Sequence, residues 1–132
     1  MIVPISIKEF VIGNELFNDG NITSLHFSPL LLRLKHIEIG NKCFKNVREF
    51  VIDGLESLES VRIDESCFGI SDGERNDGVC RITNCPNLRQ LEIGDGSFED
   101  FQSFELSNLN SLQSIEFGWF CFEYVDFSLK GE

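Results

Sequence analysis

The sequence predicts a mainly β protein, folded as a parallel β-solenoid of about five coils with two strands per coil and little helix. Three observations support this prediction: one short phrase returns five times, a second apolar alternation separates the copies, and no segment has a helical period. The phenylalanines that end successive copies lie 27, 24, 30 and 24 residues apart. A repeat spacing in this range is the sequence signature of a solenoid.

The recurring phrase predicts the first strand of each coil. It holds an aliphatic residue, two polar residues, an apolar residue, one polar residue, a third apolar residue, usually Gly, and finally Phe. Its copies span 7–17, 34–44, 58–68, 88–98 and 112–122. Every second side chain of a strand points to the same face. The alternating apolar residues are therefore expected to enter the core, with the final Phe packed below them.

A second apolar alternation predicts the second strand of each coil. It recurs at 22–30, 47–55, 80–85 and 101–109, and places Leu30, Leu55, Cys85 and Leu109 in one repeat position. The chain is then a single repeat array over 1–132. Its coils are expected at 7–33, 34–57, 58–87, 88–111 and 112–132.

Small and polar residues mark the corners between strands. These corners are expected to use positive φ angles, which Gly and Asn adopt most readily. The residues are Gly13, Gly40 and Gly94 after the first strands, and Gly54, Asn84 and Asn108 after the second strands. Two insertions, of three residues around 18–21 and of six within 69–78, are expected to project from one edge of the solenoid.

The phrase Leu-x-x-Ile-x-Ile resembles the leucine-rich repeat, and the resemblance covers nearly the whole chain. In that family the phrase forms a short parallel strand whose alternate apolar side chains enter the coil. The Gly after the strand and the Phe preceded by Cys or Ser are more similar to the divergent, Phe-containing repeats of BspA-like surface proteins. The Asn of the family motif is absent, and its position is held by Glu15, Lys42, Ser66, Gly96 and Phe120.

The charge of the chain narrows the class of partner. Eleven Lys and Arg oppose 22 Asp and Glu, which gives a formal charge of −11 and a pI near 4.5. Nucleic acids and anionic lipid surfaces attract basic proteins, so neither is expected as a partner. No stretch is long and apolar enough to insert into a membrane, and the start has no recognisable signal peptide. These features favour the cytosol and a protein partner.

The five cysteines are explained by the repeat. Cys43, Cys67 and Cys121 precede the Phe of their copies, and Cys80 and Cys85 occupy apolar positions of the second strand. A zinc site would need paired Cys-x-x-Cys spacings, which the sequence lacks. All five are therefore expected to be reduced core residues, with no metal and no cofactor.

Catalysis is not expected. The two histidines, His26 and His36, fall in strand positions predicted to face solvent, and no known nucleophile, phosphate-loop or metalloprotease motif is present. The acidic loop 72–78 fails the calcium-loop spacing, because Asp77 and Thr83 stand where Gly and Glu are required. A solvated loop is the favoured interpretation, with weak calcium binding as its alternative.

The outer face of the first strands is the candidate binding surface. Its two polar columns are predicted to form ladders across the coils, with Arg62 partly neutralising Glu38 and Glu92, and with Glu92 unfavourably beside Glu116. The columns hold Val11, Glu38, Arg62, Glu92 and Glu116, and Glu9, His36, Ser60, Gln90 and Ser114. A face of this kind suits a basic or polar protein, and it is equally suited to contact with water alone.

Trp119 and Phe120 replace polar corner residues of the other copies. They are expected either to anchor a partner or to cover an end of the array, and their place in the last copy favours the cover. Repeat arrays usually carry polar capping units, and none is recognisable here. We therefore expect a non-catalytic protein-binding module. The alternative is a structural element whose uncapped ends stack on other copies or on further repeats.

Overall fold

The computed structural model describes residues 4–69, 77–122 and 126–130, the last of these as a strand backbone. These residues form ten strands and contain no helix. The strands are β1 (Glu9–Ile12), β2 (Ser24–Phe27), β3 (His36–Ile39), β4 (Glu49–Asp53), β5 (Ser60–Ile63), β6 (Gly78–Thr83), β7 (Gln90–Ile93), β8 (Phe101–Ser107), β9 (Ser114–Phe117) and β10 (Asp126–Lys130). No helix in this part of the chain is therefore long and apolar enough to cross a bilayer.

The strands form two parallel sheets of five strands each. The odd-numbered strands pair in the order β1-β3-β5-β7-β9, and the even-numbered strands pair as β10-β8-β6-β4-β2. We call these the odd sheet and the even sheet. The chain crosses from one sheet to the other at every corner, and four full turns separate β1 from β9. The prediction of a parallel β-solenoid with two strands per coil is confirmed.

A column of stacked rings runs through the core. Within the described residues the five phrase-ending phenylalanines lie face to face, with ring centroids 4.6–5.3 Å apart and planes within 10° of parallel. They are Phe17, Phe44, Phe68, Phe98 and Phe122. The middle three are fully buried. Large aromatic side chains bury much apolar area, so this column supplies a large part of the hydrophobic stabilisation.

The corner after each odd strand holds two left-handed residues. Each ring of the Phe column sits on a backbone with φ between 51° and 60°, and the residue two places earlier is also at positive φ. This conformation costs a non-glycine residue about 1–2 kcal/mol. Hydrogen bonds between coils offset that cost: the Lys42 N–H donates to the Glu65 carbonyl ahead, and the Phe44 N–H donates to the Leu16 carbonyl behind.

The same corner contains a ladder of Asn and Asp side chains. Asn14 Oδ1 accepts the N–H of Asn41 at 2.8 Å, Asn41 Oδ1 accepts the N–H of Glu65 at 3.0 Å, and Asp95 Oδ1 accepts that of Trp119 at 2.7 Å. These side chains satisfy the backbone donors that the turn removes from the strand ladder.

The expectation for the glycines of this corner is wrong. Gly13, Gly40 and Gly94 do not adopt positive φ. Gly40 is required because the backbones of adjacent coils approach closely: a Cβ there would lie 2.6 Å from the carbonyl carbon of Gly13. The expectation holds after the even strands, where Gly54, Asn84 and Asn108 have φ of 74°, 56° and 54°.

The first coil is aligned differently from the prediction. Leu30, expected in the core, is 67% exposed, whereas Leu31 is 1% exposed and fills the position of Leu55. One of the three inserted residues of this coil therefore lies at the Ser28–Leu31 corner and only two lie near 18–21. The Leu31 N–H donates to the Ser28 carbonyl at 3.0 Å, which fixes the longer corner.

Candidate protein-binding face

The outer side of the odd sheet brings the predicted columns together. The register joins Val11, Glu38, Arg62, Glu92 and Glu116 in one column, and Glu9, His36, Ser60, Gln90 and Ser114 in the other. Both columns follow from parallel pairing without register shifts in this sheet. The predicted arrangement of the face is therefore present, although its side chains differ in exposure and in partner.

Arg62 is bound by carboxylates on one side. Its Nε lies 3.3 Å from Asp64 Oδ1 and 3.9 Å from Glu92 Oε2, and its side chain is 59% exposed. The expected neutralisation therefore reaches Glu92 but not Glu38, with which Arg62 forms no ion pair; its second partner is Asp64, which directly follows the same strand. Such exposed pairs contribute little to stability. Glu116 lies one strand farther from the guanidinium of Arg62 than Glu92 does.

The histidines differ from the prediction in part. His26 is exposed as expected, and its Nε2 lies 2.5 Å from Glu49 Oε1. His36, expected to face solvent, is half-buried, and its Nδ1 lies 2.7 Å from Ser60 Oγ on the next strand. This cross-strand hydrogen bond holds the imidazole against the sheet, so the ring does not project freely into solvent.

An open groove of about 480 Å³ lies where β5, β7 and β9 end. Four carboxylate side chains line it, from Asp64, Glu65, Glu92 and Glu116, together with the guanidinium of Arg62. We call it the acidic groove. A second depression of about 320 Å³ continues from it across the two polar columns toward β1. The odd sheet therefore carries two adjoining depressions, and carboxylates predominate in the one at the ends of β5, β7 and β9.

Trp119 and Phe120 directly follow a residue that lines the acidic groove. Gly118 lines the groove, and the next two side chains are 76% and 61% exposed. So much exposed surface shows that the two rings do not cover the end of the core, and the favoured interpretation as a cover is wrong. Ile115, in the inward-facing column of the odd sheet, is itself 43% exposed. The two aromatic rings are available for contact with another molecule.

Four of the five cysteines are buried, as expected, and Cys121 is partly buried; three of the five also make a hydrogen bond that the sequence did not reveal. Cys43, Cys67 and Cys121 each place Sγ 3.0 Å from the carbonyl oxygen of a residue in the preceding coil, Gly13, Gly40 and Gly94 respectively. The hydroxyl of Ser97 makes the same bond to Asp64 at 2.6 Å. Thus Cys and Ser share this position because both donate a hydrogen bond.

Burial also sets the state of these thiols. Desolvation raises the pKa of Cys67 and of Cys85 to about 11, raises that of Cys80 well above its ordinary value, and also raises that of Cys121. These four thiols are therefore protonated at neutral pH. Among the described residues no group of three or more His, Cys, Asp and Glu has a metal-binding arrangement. Most of the acidic loop 72–78 falls outside the described residues, so the calcium alternative remains a prediction.

A second groove was missed by the sequence reasoning. It encloses about 690 Å³ beside the start of β1 and β3, and its lining includes Lys8, Arg33 and Lys35. We call it the basic groove. Lys8 and Lys35 share one repeat position. Residues 1–48 hold six basic and four acidic residues, whereas residues 49–132 hold five basic and 18 acidic residues. A count of charge by coil would have indicated this asymmetry.

No protein-family model, curated protein or solved structure matches the chain.

Proposed function

We propose that the chain is a non-catalytic protein-binding module, and that the acidic groove takes a positively charged segment of its partner. One observation carries the proposal: Glu92 and Glu116 lie opposite each other on neighbouring strands and line one groove with two further carboxylates. Like charges in directly opposed positions destabilise a sheet. A basic side chain placed between them would remove this repulsion on binding.

The charge distribution supports a basic partner. The part of the chain from residue 49 onward has a formal charge of −13, whereas residues 1–48 have +2. A negative field concentrated on coils 3–5 attracts a basic segment toward the acidic groove and raises its rate of association. Arg62 is the one cation that lines this groove among the described residues. Its ion pairs with Asp64 and Glu92 hold the two carboxylates in place.

The exposed aromatic pair supports a peptide ligand. The backbone N–H of Trp119 donates to Asp95 Oδ1, so the ring projects from a backbone that is held in place. A Trp ring beside carboxylates suits the side chain of Arg or Lys, which gains a cation–π contact and an ion pair together. Trp and Tyr are common at interface hot spots because they bury a large area with few torsions to restrict. The proposed ligand is therefore an extended segment rich in Arg and Lys.

The proposal also takes the chain to be a divergent repeat of the leucine-rich type. The basis is the repeated phrase together with the parallel coil that it forms. In this type of architecture each coil adds one strand to a rigid face, and several coils together hold a ligand. The acidic groove spans three coils in this way.

Fluorescence provides the test, because Trp119 is the single tryptophan of the chain and lies at the groove. A labelled peptide of alternating Arg and Gly should bind the protein and change the Trp119 emission. The double variant Glu92→Gln/Glu116→Gln should weaken binding about tenfold or more. The control Glu15→Gln/Glu56→Gln makes the same change of charge at exposed positions outside the groove, and should alter affinity less than about twofold. An equal loss of affinity in both variants would mean that the peptide binds through net charge alone, and would refute the proposal.

End-to-end assembly is the second candidate function. The observation that favours it is the exposure of Ile115, a residue of the inward-facing column of the odd sheet that ends on β9. An edge strand with an exposed apolar residue is a template for further strand pairing. Light scattering over a range of concentrations tests this function. A mass that stays that of one chain up to high concentration would exclude it.

A further inference from the structure

The basic groove has an arrangement of charge that the fold does not need. Lys8 and Lys35 lie side by side on adjacent coils, where the Lys35 N–H donates to the Lys8 carbonyl at 2.8 Å. Neighbouring strands of a sheet are about 4.8 Å apart, so two ammonium groups of like sign are held near each other. Arg33 adds a third cation to the same lining. All three side chains are exposed.

Nothing in the described part of the chain neutralises these cations by contact. No ion pair joins Lys8, Arg33 or Lys35 to a described carboxylate, although Glu9 also lines the groove. By contrast, the arginines of β5 and β6 and the arginine before β4 do have acidic partners. Arg81 pairs with Glu105 at 3.0 Å and Arg48 pairs with Asp77 at 3.0 Å. The lining of the basic groove therefore holds three cations against the one carboxylate of Glu9, in a protein of charge −11, and Glu59 is the next residue beyond Lys35 in the same column.

The exposure of the three cations favours a ligand that carries several anionic groups. A single small anion between exposed, hydrated ammonium groups gains little. A ligand with several anionic groups on one chain gains from all three cations at once, because the later contacts form within the complex. Leu32, which is 60% exposed, also lines the groove and offers an apolar contact beside the charges. These features select a short polypeptide segment over a free ion.

The rest of the surface excludes a long polyanion. Coils 3–5 hold most of the negative charge, and the acidic groove lies on the same sheet as the basic groove. A nucleic acid or an anionic membrane that reached Lys8 and Lys35 would be repelled by these carboxylates. A segment of a few residues can remain within the first two coils.

We propose that the basic groove is a second binding site, which takes a short acidic segment of a partner protein through the carboxylates of clustered Asp and Glu. Lys8, Lys35 and Arg33 form the ion pairs and Leu32 contacts an apolar side chain of the segment. The site is distinct from the acidic groove in its coils, in its charge and in its ligand. The two grooves together make the odd sheet a bipolar surface, able to hold oppositely charged segments at the same time.

Binding of a fluorescein-labelled octaglutamate peptide, followed by anisotropy at low salt, tests this proposal. The variant Lys8→Gln/Lys35→Gln should weaken binding about tenfold or more, and added salt should weaken binding to the unmodified protein. The control Lys42→Gln/Lys45→Gln removes two exposed lysines of coil 2 outside the groove, and should change affinity less than about twofold. The Glu92→Gln/Glu116→Gln variant should bind octaglutamate at least as well as the parent chain, which separates this site from the acidic groove.

Three results would overturn the proposal. The first is no binding of octaglutamate to the unmodified protein. The second is an equal loss in the two lysine variants, since binding would then follow net charge alone. The third is a dimer, detected by light scattering, that dissociates in Lys8→Gln/Lys35→Gln. The groove would then be occupied by a second copy of this chain. Thermal melting guards against misfolding, because removing two adjacent like charges should leave Tm unchanged or raise it.

Discussion

Glu92 and Glu116 occupy directly opposite positions on the parallel strands β7 and β9, and both line the acidic groove. Arg62 on β5 lies 3.9 Å from Glu92, so positive charge reaches the pair from one side only. Adjacent strands are about 4.8 Å apart, and a like-charged pair at that spacing costs the sheet a few tenths of a kcal/mol or more. The acidic face is thus slightly unfavourable in the free protein and is relieved by a basic ligand.

Loss of a ring from the Phe column should destabilise the solenoid strongly. Phe68 is fully buried and stacks on Phe44 and Phe98, so Phe68→Ala should cost about 3–5 kcal/mol of unfolding free energy in urea titrations. Phe120→Ala is the matched control, because Phe120 has a φ of 64°, close to the 60° of Phe68, but is 61% exposed. It should change stability by less than about 0.5 kcal/mol. Similar costs for the two variants would contradict the core assigned to this column.

A methyl group at Gly40 should separate two coils. Gly40→Ala places a Cβ 2.6 Å from Gly13, and the backbone must shift to accept it, at about 1–3 kcal/mol. Gly20→Ala meets no atom within 4 Å, so its unfolding free energy should stay within about 0.5 kcal/mol of the parent value. Thermal melts of the two variants measure the difference. A tolerated Gly40→Ala would show that the coils lie farther apart at this corner than described.

The Cys67 position should accept Ser better than Ala. Cys67 Sγ donates to the Gly40 carbonyl, as Ser97 Oγ donates to that of Asp64 one coil later. Cys67→Ala removes the donor and should be less stable than Cys67→Ser by about 1 kcal/mol, measured by urea denaturation. The opposite order would mean that the thiol acts through its volume and not through its hydrogen bond.

Alkaline pH should lower the stability of the protein through its buried thiols. Burial raises the pKa of Cys67 from 9.0 to about 11, so the folded state holds its proton more tightly than the unfolded state does. The stabilisation is complete below pH 9 and is lost as the pH rises from 9 toward 11, by an amount on the order of 2 kcal/mol. Urea midpoints over this pH range should fall more steeply for the parent than for Cys67→Ser. Parallel curves would show that Cys67 does not control this loss.

Most of the fold could be predicted because two periods coincide. Alternation of side chains defines the inner and outer faces of each strand, and the spacing of 24–30 residues fixes which residues lie next to each other in parallel register. The Glu38, Arg62, Glu92 and Glu116 column follows from these two facts alone. The cysteines follow in the same way, since each falls in a position that faces the core.

The remaining features depend on contacts between coils. Phe44 has no intrinsic preference for positive φ, and it adopts this conformation because hydrogen bonds to the coil behind it determine the corner. Gly40 looks like a turn residue in the sequence, and only the distance to Gly13 shows its role. Leu30 and Leu31 are equally apolar, so the alternation cannot decide between them. Arg33 lies outside the repeated phrase and reaches the basic groove only in the folded chain.

The most direct test of the binding face is an NMR titration of the isotope-labelled chain with a peptide of alternating Arg and Gly. The amides of β5, β7 and β9 and of residues 116–120 should shift, and the shifts should be lost in Glu92→Gln/Glu116→Gln. The even sheet should stay unchanged, because its outer charges include the ion pairs of Arg81 with Glu105 and of His26 with Glu49. Shifts centred on β4, β6 and β8, or spread evenly over both sheets, would contradict the assignment of the acidic groove as the binding site.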